Sequence, residues 1–140
     1  MEHEGPIVGV GAVVMREDNH LLMVRRGKEP AKGLWSLPGG RLEHGEYIAG
    51  AVAREVKEET GLEVEVGRLA GIFEVPGDQH YVILDFIAEV EGRPEPRAGQ
   101  DADEARWVAF DDIEKLECTP RLVETLTAWS VLASAGEESD

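Results

Sequence analysis

Between Gly40 and Leu62 the chain crowds its carboxylates into a pattern that constrains the local fold tightly. Ile48, Val52 and Val56 recur every fourth residue, so the spacing predicts a helix over 46–60 with one core-facing stripe. Glu55, Glu58 and Glu59 lie three and four apart and project from an adjoining face, bordering the core. Like charges at that spacing destabilise a helix by roughly a few tenths of a kcal/mol per pair. A divalent cation among them removes that cost, and hard carboxylate oxygens suit Mg2+, with Mn2+ able to substitute. Gly61 supplies the helix stop. Ahead of the helix, Pro38-Gly39-Gly40 lets backbone approach a ligand or metal closely, because no Cβ intervenes. Glu46 is expected to favour the N-terminal dipole of the helix, and Arg54 to clamp a carboxylate with two hydrogen bonds.

The flanking sequence reads as mixed α and β. Residues 7–25 form a hairpin broken at Arg16-Glu17-Asp18-Asn19, and poor alternation in its first strand implies burial on both faces. Leu34 to Leu37 is a short extended piece after a polar loop over 27–33. Strands are expected over 62–74 and 81–90, then a loop over 92–99 and a last strand over 105–110. Asp111-Asp112 is expected to cap a short helix, and Thr119-Pro120 to begin another with Leu122, Leu126 and Trp129 at helical spacing. The tail over 136–140 is expected to fray. The order of elements indicates an α+β or α/β fold, a mixed sheet covered by helices, in one domain over 1–140.

Composition narrows the function. Fourteen Lys and Arg against 29 Asp and Glu give a net charge of −15, a field that repels nucleic-acid backbones. A protein so acidic that acts on phosphates has to bring divalent metal with it. No apolar run reaches the length of a membrane span, and the acidic start at residues 1–4 is unlike a signal peptide, so a cytoplasmic location is expected. The single cysteine, Cys118, excludes an internal disulfide and a cysteine-built zinc site.

Residues 40–62 resemble the signature of the Nudix hydrolase superfamily, G-x5-E-x7-R-E-U-x-E-E-x-G-U with U aliphatic. Gly40, Glu46, Arg54, Glu55, Val56, Glu58, Glu59, Gly61 and Leu62 occupy its specified positions. Residues 33–39 resemble the usual approach to that box, and the order of elements agrees with the family's α/β/α sandwich. The resemblance implies Mg2+-dependent hydrolysis of a nucleoside diphosphate linked to another group, at a phosphoanhydride bond. It implies Glu55, Glu58 and Glu59 as metal ligands with the Gly39 carbonyl as a further contributor, and Gly40, Glu46 and Arg54 as residues that order the loop–helix junction. It implies two or three ions, which neutralise the diphosphate and activate a water. The catalytic base varies within the family; Glu58 and Glu59 are candidates, as are Asp101, Asp103 and Glu104 before the last strand, with Glu104 and Asp101 favoured. Arg25 and Arg26 are candidates for holding phosphate, or surface residues, and Trp35 either stacks on a base or packs the sheet. Small ADP-ribose pyrophosphatase-type members are the nearest likeness. A MutT-type nucleoside triphosphate pyrophosphohydrolase and a non-catalytic nucleotide-binding sensor are the alternatives. A homodimer, a small nucleotide substrate and no long nucleic-acid partner are further expectations.

Overall fold

The computed structural model describes residues 5–132; the acidic start and the tail over 136–140 lie outside the described residues. Seven strands and two α-helices follow one another as β1 (Ile7–Arg16), β2 (His20–Arg26), β3 (Trp35–Ser36), β4 (Gly39–Arg41), α1 (Ile48–Thr60), β5 (Glu65–Val75), β6 (Tyr81–Glu89), β7 (Ala102–Ala109) and α2 (Leu122–Ala128). A 3-10 helix, Phe110–Lys115, joins β7 to the last segment.

The sheet is mixed, with strand order β3-β2-β1-β6-β5, β4 added to β1 and β7 added to β2. The first strand is its centre. It runs parallel to β6 from Ile7 opposite Tyr81 to Val14 opposite Ala88. On its other edge it pairs antiparallel with β4 at Gly9, Val10 and Gly11, and with β2 only at Met15 and Arg16. β4 and β2 thus share one edge of β1, and the sheet divides between them.

Side-chain alternation across this centre builds two cores. Val10, Ala12 and Val14 of β1 face α1 with Leu22, Ala51, Val52, Val56 and Ala88. Val13 faces the other way, with Leu21, Met23, Trp35, Val108, Ile113 and Leu126. Helices thus cover both faces, the three-layer arrangement expected from the order of elements. The absence of polar alternation in β1 follows, since six consecutive residues from Gly9 to Val14 are buried. Among the described residues, no helix is long and apolar enough to cross a membrane.

Several boundaries move from their expected places. Helix α1 begins at Ile48 rather than at residue 46, behind an extended Tyr47 that makes no side-chain cap. The last strand starts at Ala102, because β2 carries it: pairing from His20 opposite Ala109 to Arg26 opposite Ala102 draws the acidic stretch into the sheet. Asp111 and Asp112 sit inside the first turn of the 3-10 helix, and neither caps it. The final helix begins at Leu122, behind Arg121 in a left-handed conformation, so Thr119-Pro120 lies before its start. Gly61 does end α1, with φ of 77° and its N–H on the Lys57 carbonyl.

Leu22 is fully enclosed between β1, β7 and α1. Leu22→Ala should lower the unfolding free energy by about 3 kcal/mol in urea titration. Ile72→Ala, at a side chain 52% exposed, should change it by less than about 0.5 kcal/mol.

Candidate active site

Helix α1 lies against the glycine strand β4, and its carboxylates rest on that strand's backbone. A Cβ at Gly40 would collide with the Glu55 carboxylate, and one at Gly39 with the Val10 carbonyl. Only glycine lets β4 fit between β1 and the helix. The Gly39 N–H donates to Glu59 Oε1 at 3.1 Å.

Arg54 organises the acidic groups. Its Nε and one terminal nitrogen grip both Glu46 oxygens, the second at 2.9 Å. The other terminal nitrogen donates to Glu55 at 2.9 Å and to Glu58 at 3.2 Å. A further bond reaches the Arg41 carbonyl at 3.2 Å, tying the helix back to β4. The Glu43 N–H also donates to Glu46 at 3.0 Å. Glu46 is therefore a partner of Arg54 and of the loop rather than a group set against the helix dipole; the first turn of α1 contains no acidic residue.

Electrostatics separates the carboxylates. Two Arg54 hydrogen bonds and the Glu43 N–H hold Glu46 below the usual range. Burial raises Glu55 against the opposing pull of Arg54. Burial pushes Glu59 up to about 8, offset only partly by the Gly39 N–H and Arg26, and reinforced by Glu55 and Asp101. Glu59 is a desolvated acceptor with too few donors, the condition a cation relieves. Among the described residues no three acidic side chains converge at ligand distances, because the Arg54 guanidinium bridges Glu55 and Glu58. The donor set still fits a hard divalent ion: three carboxylates within two turns of one helix, beside the two glycines that open β4.

A second element closes the site. Residues 97–100 cross the C-terminal end of α1 and cap it, Arg97 N–H donating to the Thr60 carbonyl, Gly99 to Glu59 and Gln100 to Glu58 at 2.8–3.0 Å. These are carbonyls a helix end leaves without partners. Gly99 is required there, since a Cβ would collide with the Glu58 carbonyl. The loop delivers Asp101 close enough to raise Glu59, and Lys28 pairs with Asp101 at 3.2 Å.

The remaining candidates divide between the faces. Arg26 acts on Glu59 and lies on the glutamate side. Glu104 does not: it alternates with Arg106 and Val108 on the face that packs against the second core, 3.7 Å from Arg25 and 3.6 Å from Arg106. Arg25, opposite Glu104 and Trp35 in the sheet, belongs to that same face. Trp35 is 5% exposed within the second core, with Arg106 lying 4.6 Å over its ring, so it packs the sheet and offers no face for stacking. Two shallow clefts of about 420 and 370 Å³ lie elsewhere, beside Glu89, and contain none of these residues.

The sequence reading missed the capping loop and one buried acid. Asp85, in the middle of β6, is 6% exposed. Its signal was a charge inside the apolar run Tyr81–Val90, and Gly99 signalled the close loop–helix approach.

A sequence profile of the NUDIX domain matches residues 5–129. The chain is 40% identical over 114 residues to an ADP-ribose pyrophosphatase from Methanocaldococcus jannaschii, covering 79% of this chain and 66% of that one. It is 39% identical over 108 residues to a MutT-like protein from Streptomyces ambofaciens, covering 77% and 67%. The chain thus spans about two thirds of the length of these relatives. A bifunctional NMN adenylyltransferase/ADP ribose pyrophosphatase from Francisella tularensis, solved with AMP and a Mn ion, superposes with a TM-score of 0.78 at 27% identity, over 94% of this chain and 43% of that one.

Glu59 and Asp85, whose burial pushes it up to about 7, titrate in the folded chain above their ordinary values of 4.5 and 3.8. The folded chain then holds protons that the unfolded chain has released, so stability is full on the acid side and declines as pH rises toward 8. Metal-free protein should show a urea midpoint that falls between about pH 5 and pH 8, and Glu59→Gln should flatten that decline.

Proposed function

The chain belongs to the NUDIX domain family, and from that premise we propose that it is a Mg2+-dependent pyrophosphohydrolase of nucleoside diphosphates linked to another group, with an ADP-ribose-like substrate. The observation that carries this reading is the contact of α1 with the glycine strand: Glu59 on the Gly39 N–H, Glu55 over Gly40, and Arg54 joining Glu46, Glu55 and Glu58. Glu55, Glu58 and Glu59 would hold divalent metal, with the Gly39 carbonyl as a further donor. When bound there, Mg2+ supplies charge neutralisation at the diphosphate and a more acidic attacking water.

The chain's own residues do the rest. Arg54 keeps Glu55 and Glu58 in position and, through Glu46 and the Arg41 carbonyl, holds the helix on its strand. Arg26 and Lys28 stand at the rim as cations for phosphate oxygens. The proton of the water passes to Glu58 or Glu59, or to Asp101 from the capping loop. Glu104 is set aside because it lies on the opposite face of the sheet, held between Arg25 and Arg106.

The ADP-ribose-like substrate rests on the 40% identity to the pyrophosphatase named for that compound. The 39% identity to a MutT-like protein supports the rival, a nucleoside triphosphate pyrophosphohydrolase. Product analysis over ADP-ribose, nucleoside triphosphates and dinucleoside polyphosphates with Mg2+ decides between them. Turnover of ADP-ribose to AMP and ribose 5-phosphate is expected, and inactivity on the whole panel with Mg2+ and Mn2+ refutes hydrolysis. Glu59→Gln should lower kcat by about 100-fold or more while the protein stays folded.

A further inference from the structure

Residues 97–101 are fastened on two sides by backbone alone. On one side, the Gly99 and Gln100 N–H groups meet the carbonyls of Glu59 and Glu58, each at 3.0 Å, and the Arg97 N–H meets that of Thr60. Two of the three carbonyls therefore belong to residues whose side chains border the candidate cation site. The approach at Gly99 is close enough that a Cβ would collide with the Glu58 carbonyl oxygen. That oxygen is backbone, so no change of rotamer relieves the clash; the segment or the helix end has to move.

On the other side, the Asp101 carbonyl accepts the Gly27 N–H at 2.9 Å. A Cβ at Gly27 would stand 3.2 Å from that carbonyl oxygen and 2.9 Å from Asp103 Oδ1. Arg25 pairs with Glu104 but Arg26 with Ala102, so β7 holds one extra residue, Asp103, at this point. A bulge of this kind re-aims the chain, and here it keeps residues 101 and 102 against the end of β2. Asp101 itself has φ of 62°, a region that a residue with a side chain seldom adopts and keeps only where its surroundings enforce it. The enforcing contacts are the Gly27 N–H on its carbonyl and Lys28 on its carboxylate at 3.2 Å.

We propose that residues 97–101 act as a splint between the metal-binding end of α1 and the phosphate-binding end of β2, with Gly99 and Gly27 as its positioning residues. Gly99 sets where Glu58 and Glu59 present their carboxylates. Gly27 fixes the same segment to the strand end that carries Arg26 and Lys28. The two ends address one diphosphate, so their separation has to match it; a misplacement of about 1 Å at a reacting centre costs about 100-fold in rate. The assignment rests on the reading of the glutamates as the divalent-metal site.

Titration of the protein with Mn2+, followed by electron paramagnetic resonance of the free ion, reads the first end without turnover, and steady-state kinetics on ADP-ribose with Mg2+ reads the second. Gly99→Ala should weaken Mn2+ binding by about tenfold or more, the usual effect of disturbing groups that hold metal ligands in place. Gln100→Pro, which removes the N–H on Glu58 without adding a Cβ at 99, should do the same. Gly50→Ala, on the same helix but with its Cβ in open space, should bind Mn2+ like the wild type. Gly27→Ala should leave Mn2+ binding nearly unchanged and raise KM with little change in kcat, the pattern of lost substrate binding. Undiminished Mn2+ affinity in a folded Gly99→Ala protein overturns the proposal, as does a Gly27→Ala protein that loses Mn2+ equally. If Gly99→Ala does not fold by circular dichroism, Gln100→Pro decides, and loss of fold in both shows that the segment serves folding and overturns the proposal. A wild type that binds no Mn2+ removes the metal reading and the splint together. Mn2+ binding that depends on Gly99, without hydrolysis of any nucleotide, removes the hydrolase reading and leaves the metal-side role of Gly99 standing.

Discussion

Two adjacent residues without side chains let a helix edge settle on a strand, and the geometry of the site follows from that contact. With any Cβ at position 40 the Glu55 carboxylate would have to move away, and with one at position 39 β4 would be pushed off β1. Once the helix is down, its carboxylates are partly stripped of water, which raises the free energy of their charged forms. Arg54 offsets part of that cost by spreading one guanidinium over Glu46, Glu55 and Glu58, and the grip on Glu46 also fixes the loop that leads into the helix. The desolvation left over concentrates on Glu59.

The helix end adds to the same field. The C-terminal carbonyls of a helix carry partial negative charge, and here they sit beside Glu58 and Glu59. Three N–H groups from residues 97–100 meet those carbonyls, so the end is satisfied although it is strongly electronegative. The loop that provides them brings Asp101 alongside. Net charge far from the site sets only the background; the acceptors of this site are concentrated locally, beside Gly39 and Gly40.

Much of this was legible in the sequence, and the reasons differ by element. The apolar stripe at 48, 52 and 56 sets the face of α1, and the glycine at 61 sets its end, because both depend on local periodicity and backbone freedom. The burial of β1 on both faces was visible as a lack of alternation. The roles of Glu104, Arg25 and Trp35 were not, since they depend on which strand pairs with which. Only the alignment of β7 on β2 shows that Glu104 shares a face with Trp35 and points away from the glutamates. The early start of β7 has the same origin: an acidic segment becomes strand when a partner edge is available, whatever its own propensity. Glu46 illustrates a third case, in which a side chain placed correctly beside the junction finds a partner eight residues on instead of the helix dipole.

The central position of β1 also shapes how the polypeptide leaves the ribosome. Its principal partner, β6, is parallel and begins about 70 residues later, at Tyr81. At roughly 5–20 residues per second, the most apolar strand waits for several seconds or longer before its long edge is covered. During that interval the β6 edge of a strand whose one charge is the terminal Arg16 is exposed to other nascent chains, because β4 and β2 pair only with its other edge. For this architecture, the hazard of aggregation falls chiefly during synthesis rather than on the completed molecule.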